Sequence, residues 1–302
     1  MKLIAPDYYP LFSCTAGACR HSCCIGWEID IDEATLSAYS GITDEFGERL
    51  KNGIQKTPDG ARFSLDCQNR CVFLNENGLC DIITQLGEGA LCQICADHPR
   101  FRNFFSNTTE IGLGLTCEEA ARLILTRNEP IRLIVLENDN QEPLEENAEE
   151  KAIRLIRNRM LTIVNDSTVP LEKKLKDILK AARAKEADKS LNDFVRLYAS
   201  LECLDEKWKA LLKAQTPLTS SPPYRDEKIL SNLLGYFIYR HVSAAYDEYD
   251  LVLRSTFCVH AVQFINAVSR GRDLLDTARM YSTEIEYSDE NLGVLLEAME
   301  NV

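Results

Sequence analysis

The chain has 302 residues, 45% of them hydrophobic and 27% charged, with a formal net charge of -13. That length supplies one large or two ordinary domains with a real core, and no apolar run approaches the roughly 20 residues of a membrane span. Residues 1–150 carry 12 basic and 25 acidic side chains and the rest carry 22 of each, so there is no basic stripe for phosphate: nucleic acid and membrane are excluded as partners, and a cationic, lysine-bearing protein suits the acidic half.

The opening MKLIAPDYYPLF has no apolar export core, which points to the cytoplasm. Asp32 is a good N-cap for a helix over ATLSAY, and TDEFGERLKNGI reads as a second short helix ending at Gly53. Residues 54–70 read as loop, with Pro58, Asp59 and Gly60 as a turn signal. VFLNENGLC is a short strand or turn running into a helix near Asp81, and Thr108–Leu115 alternates as a strand does. Thr116, with Glu119 three residues on, forms a capping box for CEEAARLILTR, which Asn128 and Pro130 close. The run IRLIVL then meets an acidic linker, ENDNQEPLEEN, which is the expected boundary between residues 1–138 and 139–302.

Beyond the linker the pattern is helical. Leu171, Leu175, Ile178 and Leu179 make one apolar stripe, with Glu172 and Lys176 paired beside it. Further helices are predicted near 143–165, 189–214, 225–247, 250–269 and 272–300, with a break between Gln215 and Arg225. The fold class is mainly α: an irregular cysteine-rich metal-binding domain with short strands, then a helical bundle.

Ten of the 12 cysteines lie between Cys14 and Cys117. In a reducing compartment a dense thiol set reads as soft-metal ligands rather than disulfides. Cys67-x3-Cys71 and Cys92-x2-Cys95 approximate two zinc knuckles, but that reading leaves Cys14, Cys19, Cys23, Cys24, Cys80 and Cys117 without a role. Adjacent Cys23 and Cys24 serve one metal only from an irregular turn. Cys117, at the first turn of a helix, is placed where free amides favour the thiolate. His21 and His98 are alternative ligands, whereas Cys203 and Cys258 read as core. No dinucleotide fingerprint, Walker sequence, nucleophile elbow or H-E-x-x-H is written in the chain.

The run from Cys14 to Asp32, CVFLNENGLCDI, LGEGALCQICADHPR and LTCEEAARLIL, followed by ILSNLLGYFIYRHV and ARMYSTEIEYSDENL, resembles the flagellin lysine-N-methylase family. Its cysteine part is also similar to a wider group of zinc- or iron-chelating domains. The resemblance implies a bacterial cytoplasmic enzyme that methylates flagellin lysines with S-adenosylmethionine as donor and an iron-sulfur cluster of the 4Fe-4S type, with zinc as the alternative. It implies a cysteine-rich iron-sulfur domain over 1–138 and a helical substrate-binding domain over 139–302. The family's cysteine positions carry over as Cys14, Cys19, Cys23, Cys24, Cys71, Cys80, Cys95 and Cys117; Cys67 and Cys92 are extra. Tyr287 stands where the family pattern has His, and Glu118 where it has Pro.

Methyl transfer needs a neutral amine aligned with the sulfonium. Tyr8, Tyr9 and Trp27 are candidates to wall the cationic groups, and Glu28, Asp30 and Glu110 are candidate proton acceptors. A noncatalytic metal-dependent interaction module and a redox or electron-transfer cluster protein are the competing readings.

Overall fold

β1 (Lys2–Pro6) opens the computed structural model, which describes residues 1–58, 60–139, 145–215 and 223–300. Asp32 begins α1 (Glu33–Ser40) by accepting the Thr35 amide at 2.9 Å, and Asp44 begins α2 (Glu45–Asn52) by accepting that of Gly47 at 2.8 Å. The stretch expected to be loop from residue 54 starts instead with a hairpin of β2 (Ile54–Thr57) and β3 (Gly60–Phe63), in which Ile54 faces Phe63. Its inward side chains are few, Ala61 and Phe63, so alternation alone does not reveal it. Asp59 lies outside the described residues.

α3 (Asp81–Leu86), α4 (Gln93–Asp97), β4 (Arg100–Phe104), β5 (Thr108–Leu113), α5 (Glu118–Leu125) and β6 (Leu133–Asn138) follow. The helix expected to start after a Thr116 cap begins at Glu118. The run IRLIVL supplies β6, which pairs antiparallel with β1, while β5 pairs parallel with β1 on its other side; the sheet order is β4-β5-β1-β6.

The remainder is α6 (Ala148–Asn165), α7 (Leu171–Ala181), α8 (Leu191–Ser200), α9 (Glu206–Lys213), α10 (Glu227–His241), α11 (Glu248–Val268), α12 (Leu274–Tyr281) and α13 (Asp289–Glu297). Two expected helices are each broken. The Leu204 and Asp205 amides turn to the Glu284 carboxylate at 2.9 and 2.6 Å, which parts α8 from α9. A π-helical turn, Ser282–Glu286, and a Ser288 cap part α12 from α13. Residues 140–144 and 216–222, which include the expected start of α6 and most of the Gln215–Arg225 break, lie outside the described residues.

The chain forms two compact units, but they do not divide at the acidic linker. The first comprises Met1–Phe12, Phe101–Thr116 and the chain from Ala120; the second comprises Ser13–Arg100 and Cys117–Glu119. The expected 1–138 boundary gives way because β1 takes its sheet partners from residues 108–113 and 133–138.

In the first unit α10 and α11 are the buried axis: Leu230, Leu233, Leu234, Phe237, Ile238, Phe257 and Val262 are fully covered. A Cβ at Gly235 would lie 2.5 Å from Ile131 Cδ1 and 3.2 Å from Val164 Cγ1, so a larger residue there would push the end of the Ile131 side chain aside. Among the described residues α11 alone is long and apolar enough to cross a membrane, yet 78% of its apolar window is buried in the protein. Cys258, on α11, is core as expected, whereas Cys203 is exposed because it falls in the turn between α8 and α9 rather than on a helical stripe.

Lys174 on α7 is only 4% exposed, and its ammonium donates to the Val164 carbonyl at 2.8 Å and to Ser231 Oγ at 3.3 Å. It thereby satisfies one of the last carbonyls of α6, where the helix dipole favours a cation. Lys174→Met should cost about 1–3 kcal/mol by orphaning that carbonyl, read as a lower midpoint in urea with an unchanged slope.

Candidate functional site

All ten of the amino-terminal cysteines fall in the second unit, because Cys117 joins it although its neighbour Thr116 does not. The unit's core is Ile29, Ile31, Tyr39, Leu50, Phe63, Cys71, Phe73, Ile82 and Cys92, with Cys24, Cys80 and Cys95 packed against it. Around that core the cysteines occupy turns, each held by a local device.

The turn from Cys14 to Cys19 lies against the turn before Cys80: a Cβ at Gly17 would stand 2.6 Å from the Asn77 carbonyl oxygen, so only glycine permits the approach. Asn75 builds the second turn, its side-chain oxygen accepting the Asn77 and Leu79 amides at 3.0 Å each. Cys24 meets Cys71 through the backbone, the Cys71 amide donating to the Cys24 carbonyl at 2.8 Å. Cys92 stands at the head of α4 and Cys95 within it. Asp32 Oδ2 accepts the Gln93 amide at 2.9 Å, so one carboxylate secures the starts of both α1 and α4. Those two amides hold Asp32 below the usual carboxylate range.

The thiols sense one another. A hydrogen bond from Cys23 lowers Cys24 to about 7, while the same bond, with burial, pushes Cys23 up. The bond with Cys95 lowers Cys92 to about 7 in the same way, and Cys95 is pushed up. Burial lifts Cys71 to about 11, with further repulsion from Cys24, Cys80 and Cys92. Cys24 also repels Cys80 and Cys95, and Cys23 feels Cys14 and Cys117. Cys24, Cys71, Cys80, Cys92 and Cys95 therefore share one electrostatic neighbourhood, and Cys23 links it to Cys14, Cys19 and Cys117.

Cys92, extra to the family pattern, is buried in the core of this unit, and its two-residue spacing from Cys95 puts the two at the head of and within α4. Cys67 is exposed in the Asp66–Arg70 turn. His98 is half-buried 6.0 Å from the Trp27 ring, and burial together with Arg100 lowers it to about 4, leaving a neutral imidazole.

The donor set fits a soft metal or an iron-sulfur cluster by its chemistry: several thiols, four of them already in two proton-sharing pairs, in a unit with 7 basic and 15 acidic side chains where a cation relieves repulsion. Among the described residues no three His, Cys, Asp or Glu side chains already stand around one point, so ligation would draw the thiols inward.

The other candidates divide between the units. Trp27 packs on the second unit's core and donates its indole N–H to the Cys23 carbonyl, so it braces the thiol turn. Glu28 and Asp30 are exposed in the same unit, Glu28 paired with Arg62. Tyr8 is buried in the first unit with the Arg127 guanidinium 5.1 Å over its ring, so a cation already covers that face; Tyr9 is half-buried. Glu110 is completely buried in an ion pair with Arg157, which removes it from the proton acceptors: β5 lies between β4 and β1, and five of its six residues are buried, so neither of its faces is open to solvent there. Sequence reasoning also missed a buried polar network of Tyr236, Arg240, His241 and Glu286, although each lies in a quoted helical block.

No family model and no solved structure matches the chain. It is 28% identical over 248 residues to a protein named lysine-N-methylase from Salmonella typhimurium, which covers 76% of this chain and 58% of that protein. A Salmonella choleraesuis protein of the same name matches to the same extent. The flagellar biosynthetic protein FliU of Salmonella muenchen is 29% identical over 131 residues, 41% of this chain and 76% of that one. The chain thus spans less than two thirds of the length of the lysine-N-methylases it matches.

Proposed function

We propose, from the premise that this chain belongs to the lysine-N-methylase family, that it transfers methyl groups to protein lysine side chains, with flagellin as substrate and S-adenosylmethionine as donor. The relationship across 76% of the chain carries this reading, and the flagellar name of the third relative supports the substrate. The gathering of the thiols in one unit supports an iron-sulfur cluster, with zinc as the competing metal. The proposed compartment is the bacterial cytoplasm, where thiols stay reduced.

The chemistry sets two requirements. A lysine near its usual pKa is neutral in only about one molecule in a thousand at pH 7, so deprotonation costs roughly 4–5 kcal/mol before transfer begins. A surface that attracts the ammonium must therefore adjoin a group that takes its proton. In the second unit Glu28 and Asp30 are exposed carboxylates that meet the first need and are candidates for the second. Cys24, Cys71, Cys80, Cys92 and Cys95, with Cys23 beside them, are the residues that would hold the metal; Cys14, Cys19 and Cys117 form the adjoining set. When bound, an iron-sulfur cluster supplies either an iron with an open position for an amino-acid ligand or a brace for the fold.

The test is transfer of labelled methyl from S-adenosylmethionine to flagellin by anaerobically purified protein, read as a mass increase on lysine peptides. Methylated flagellin supports the reading; a brown, iron-loaded protein that leaves flagellin unmodified rejects it. The two hydrogen-bonded thiol pairs favour one other reading, a redox or electron-transfer protein. That alternative predicts a reversible visible bleaching with dithionite and no methyl transfer. Cys71→Ser and Cys95→Ser should each lose most bound metal and much soluble yield, since affinity at such a site is folding free energy. Cys203→Ser, in an exposed turn of the other unit, should keep the wild-type metal content.

A further inference from the structure

Two of the helical blocks meet in the first unit through polar side chains. Glu286, from the π-helical turn, faces His241 Nε2 at 2.7 Å and Arg240 Nε at 3.3 Å through Oε1, and its Oε2 accepts the Tyr236 hydroxyl at 2.8 Å. Arg240 donates to the Tyr236 oxygen at 3.0 Å and to the Glu286 carbonyl at 2.9 Å, with its guanidinium 4.8 Å from the Phe101 ring and 5.4 Å from that of Tyr287. Burial would raise the Glu286 carboxyl, but Arg240 and His241 outweigh it and leave the group below its ordinary value. The network is charged, buried and almost fully paired, so its hydroxyls are held in fixed places.

One hydroxyl of this network, that of Tyr236, and one from the same π-helical turn as Glu286, that of Thr283, grip one short stretch of chain. The Tyr236 oxygen accepts the Leu115 amide at 3.3 Å, and Thr116 Oγ1 meets Thr283 Oγ1 at 2.7 Å. Thr283 spends its own proton on the Arg279 carbonyl at 3.1 Å, so the Thr116 hydroxyl is the donor of that bond. Leu115 and Thr116 end at Cys117, a family-position cysteine. The Thr116 hydroxyl, expected from the sequence to cap α5, is also engaged by the π-helical turn.

We propose that Tyr236, held by Glu286 and Arg240, and Thr283, on the same π-helical turn as Glu286, are positioning residues that fix the Leu115–Thr116 stretch and so set the direction of the Cys117 thiol. The proposal rests on the reading of Cys117 as a metal ligand, but its test needs no methyl transfer. It explains why a charged cluster is buried far along the sequence from the amino-terminal cysteines: Thr283 of the π-turn and Tyr236 of α10 give the chain before Cys117 two anchor points that local sequence does not provide.

The experiment is alkylation of anaerobically purified whole protein with iodoacetamide, followed cysteine by cysteine by mass spectrometry, with iron content and Tm measured in parallel. Thr283→Val and Tyr236→Phe should change the Cys117 rate about fivefold or more while the Cys203 rate stays put. Thr283→Ser, which keeps the hydroxyl, should restore the wild-type Cys117 rate. An unchanged Cys117 rate in the Val and Phe variants overturns the proposal, and so does an equal change at every cysteine, which would mark general loosening. Failure of the flagellin assay with a selective Cys117 response would reject the methylase reading and leave this one standing.

Discussion

Arg157→Met is expected to lower folding stability by about 3–5 kcal/mol, because it strands the Glu110 carboxylate, 0% exposed, without its counter-charge. The pair is already strained for partners: Glu110 Oε2 and Arg157 Nε and Nη1 have no hydrogen-bond partner among the described residues. The guanidinium lies 5.5 Å from the Tyr239 ring, which offers it only a weak cation-π contact. The double variant Glu110→Leu with Arg157→Met should recover most of the loss, since two apolar side chains of similar size carry no desolvation cost. Urea unfolding of the four proteins of the cycle decides it. Equal destabilisation in the single and double variants would show that volume rather than charge matters at this position.

The second large effect is acid lability at His260. Burial alone pushes this imidazole down to about 3 from the ordinary 6.5. Its surroundings are rings, with Phe194 at 3.7 Å, Phe264 at 5.8 Å and Tyr198 at 6.0 Å, and Nε2 has no hydrogen-bond partner among the described residues. The unfolded chain binds a proton below pH 6.5 that the folded chain refuses until about 3, so stability is complete above that window and falls as the pH drops through it. At pH 4 the penalty is about 3 kcal/mol. His260→Phe should remove that slope: the stability difference between variant and wild type should shift in favour of the variant by about 3 kcal/mol between pH 7.5 and pH 4. Packing cost is common to both pH values and cancels. His98 and His241 are also held low, but they act equally in both proteins. A pH-independent difference would place the imidazole in contact with water.

What the sequence made legible were features written locally. Asp32 as a cap, the α7 stripe and the helices near 225–247 and 250–269 each rest on residues within a few turns of one another, and the structure has them as α1's cap, α7, α10 and α11. The concentration of cysteines in one part of the chain was legible too, and the structure sharpens it by bringing Cys117 into the unit formed by residues 13–100. What escaped was set by tertiary partners. The breaks at Leu204 and at Ser282–Glu286 arise from a carboxylate on a distant segment and a π-turn, neither of which changes hydrophobic periodicity. Glu110 reads as an available carboxylate until the fold buries it against Arg157. Cys92, outside the family pattern, stands beside Cys95 because it begins the α4 turn, which the two-residue spacing makes legible.

The strand β1 has a consequence for how the chain is made. Its partners place Lys2 beside Thr108 on one edge and Asn138 on the other, so on a ribosome it emerges long before either neighbour exists. Residues 13–100 are continuous and contact mainly themselves, so they can close into a finished body while the host sheet still waits for its central strand to be flanked. Synthesis order and contact order therefore favour the cysteine-bearing body as an early folding step and the larger unit as a late one, in which a strand held in waiting is the segment most open to mispairing during translation.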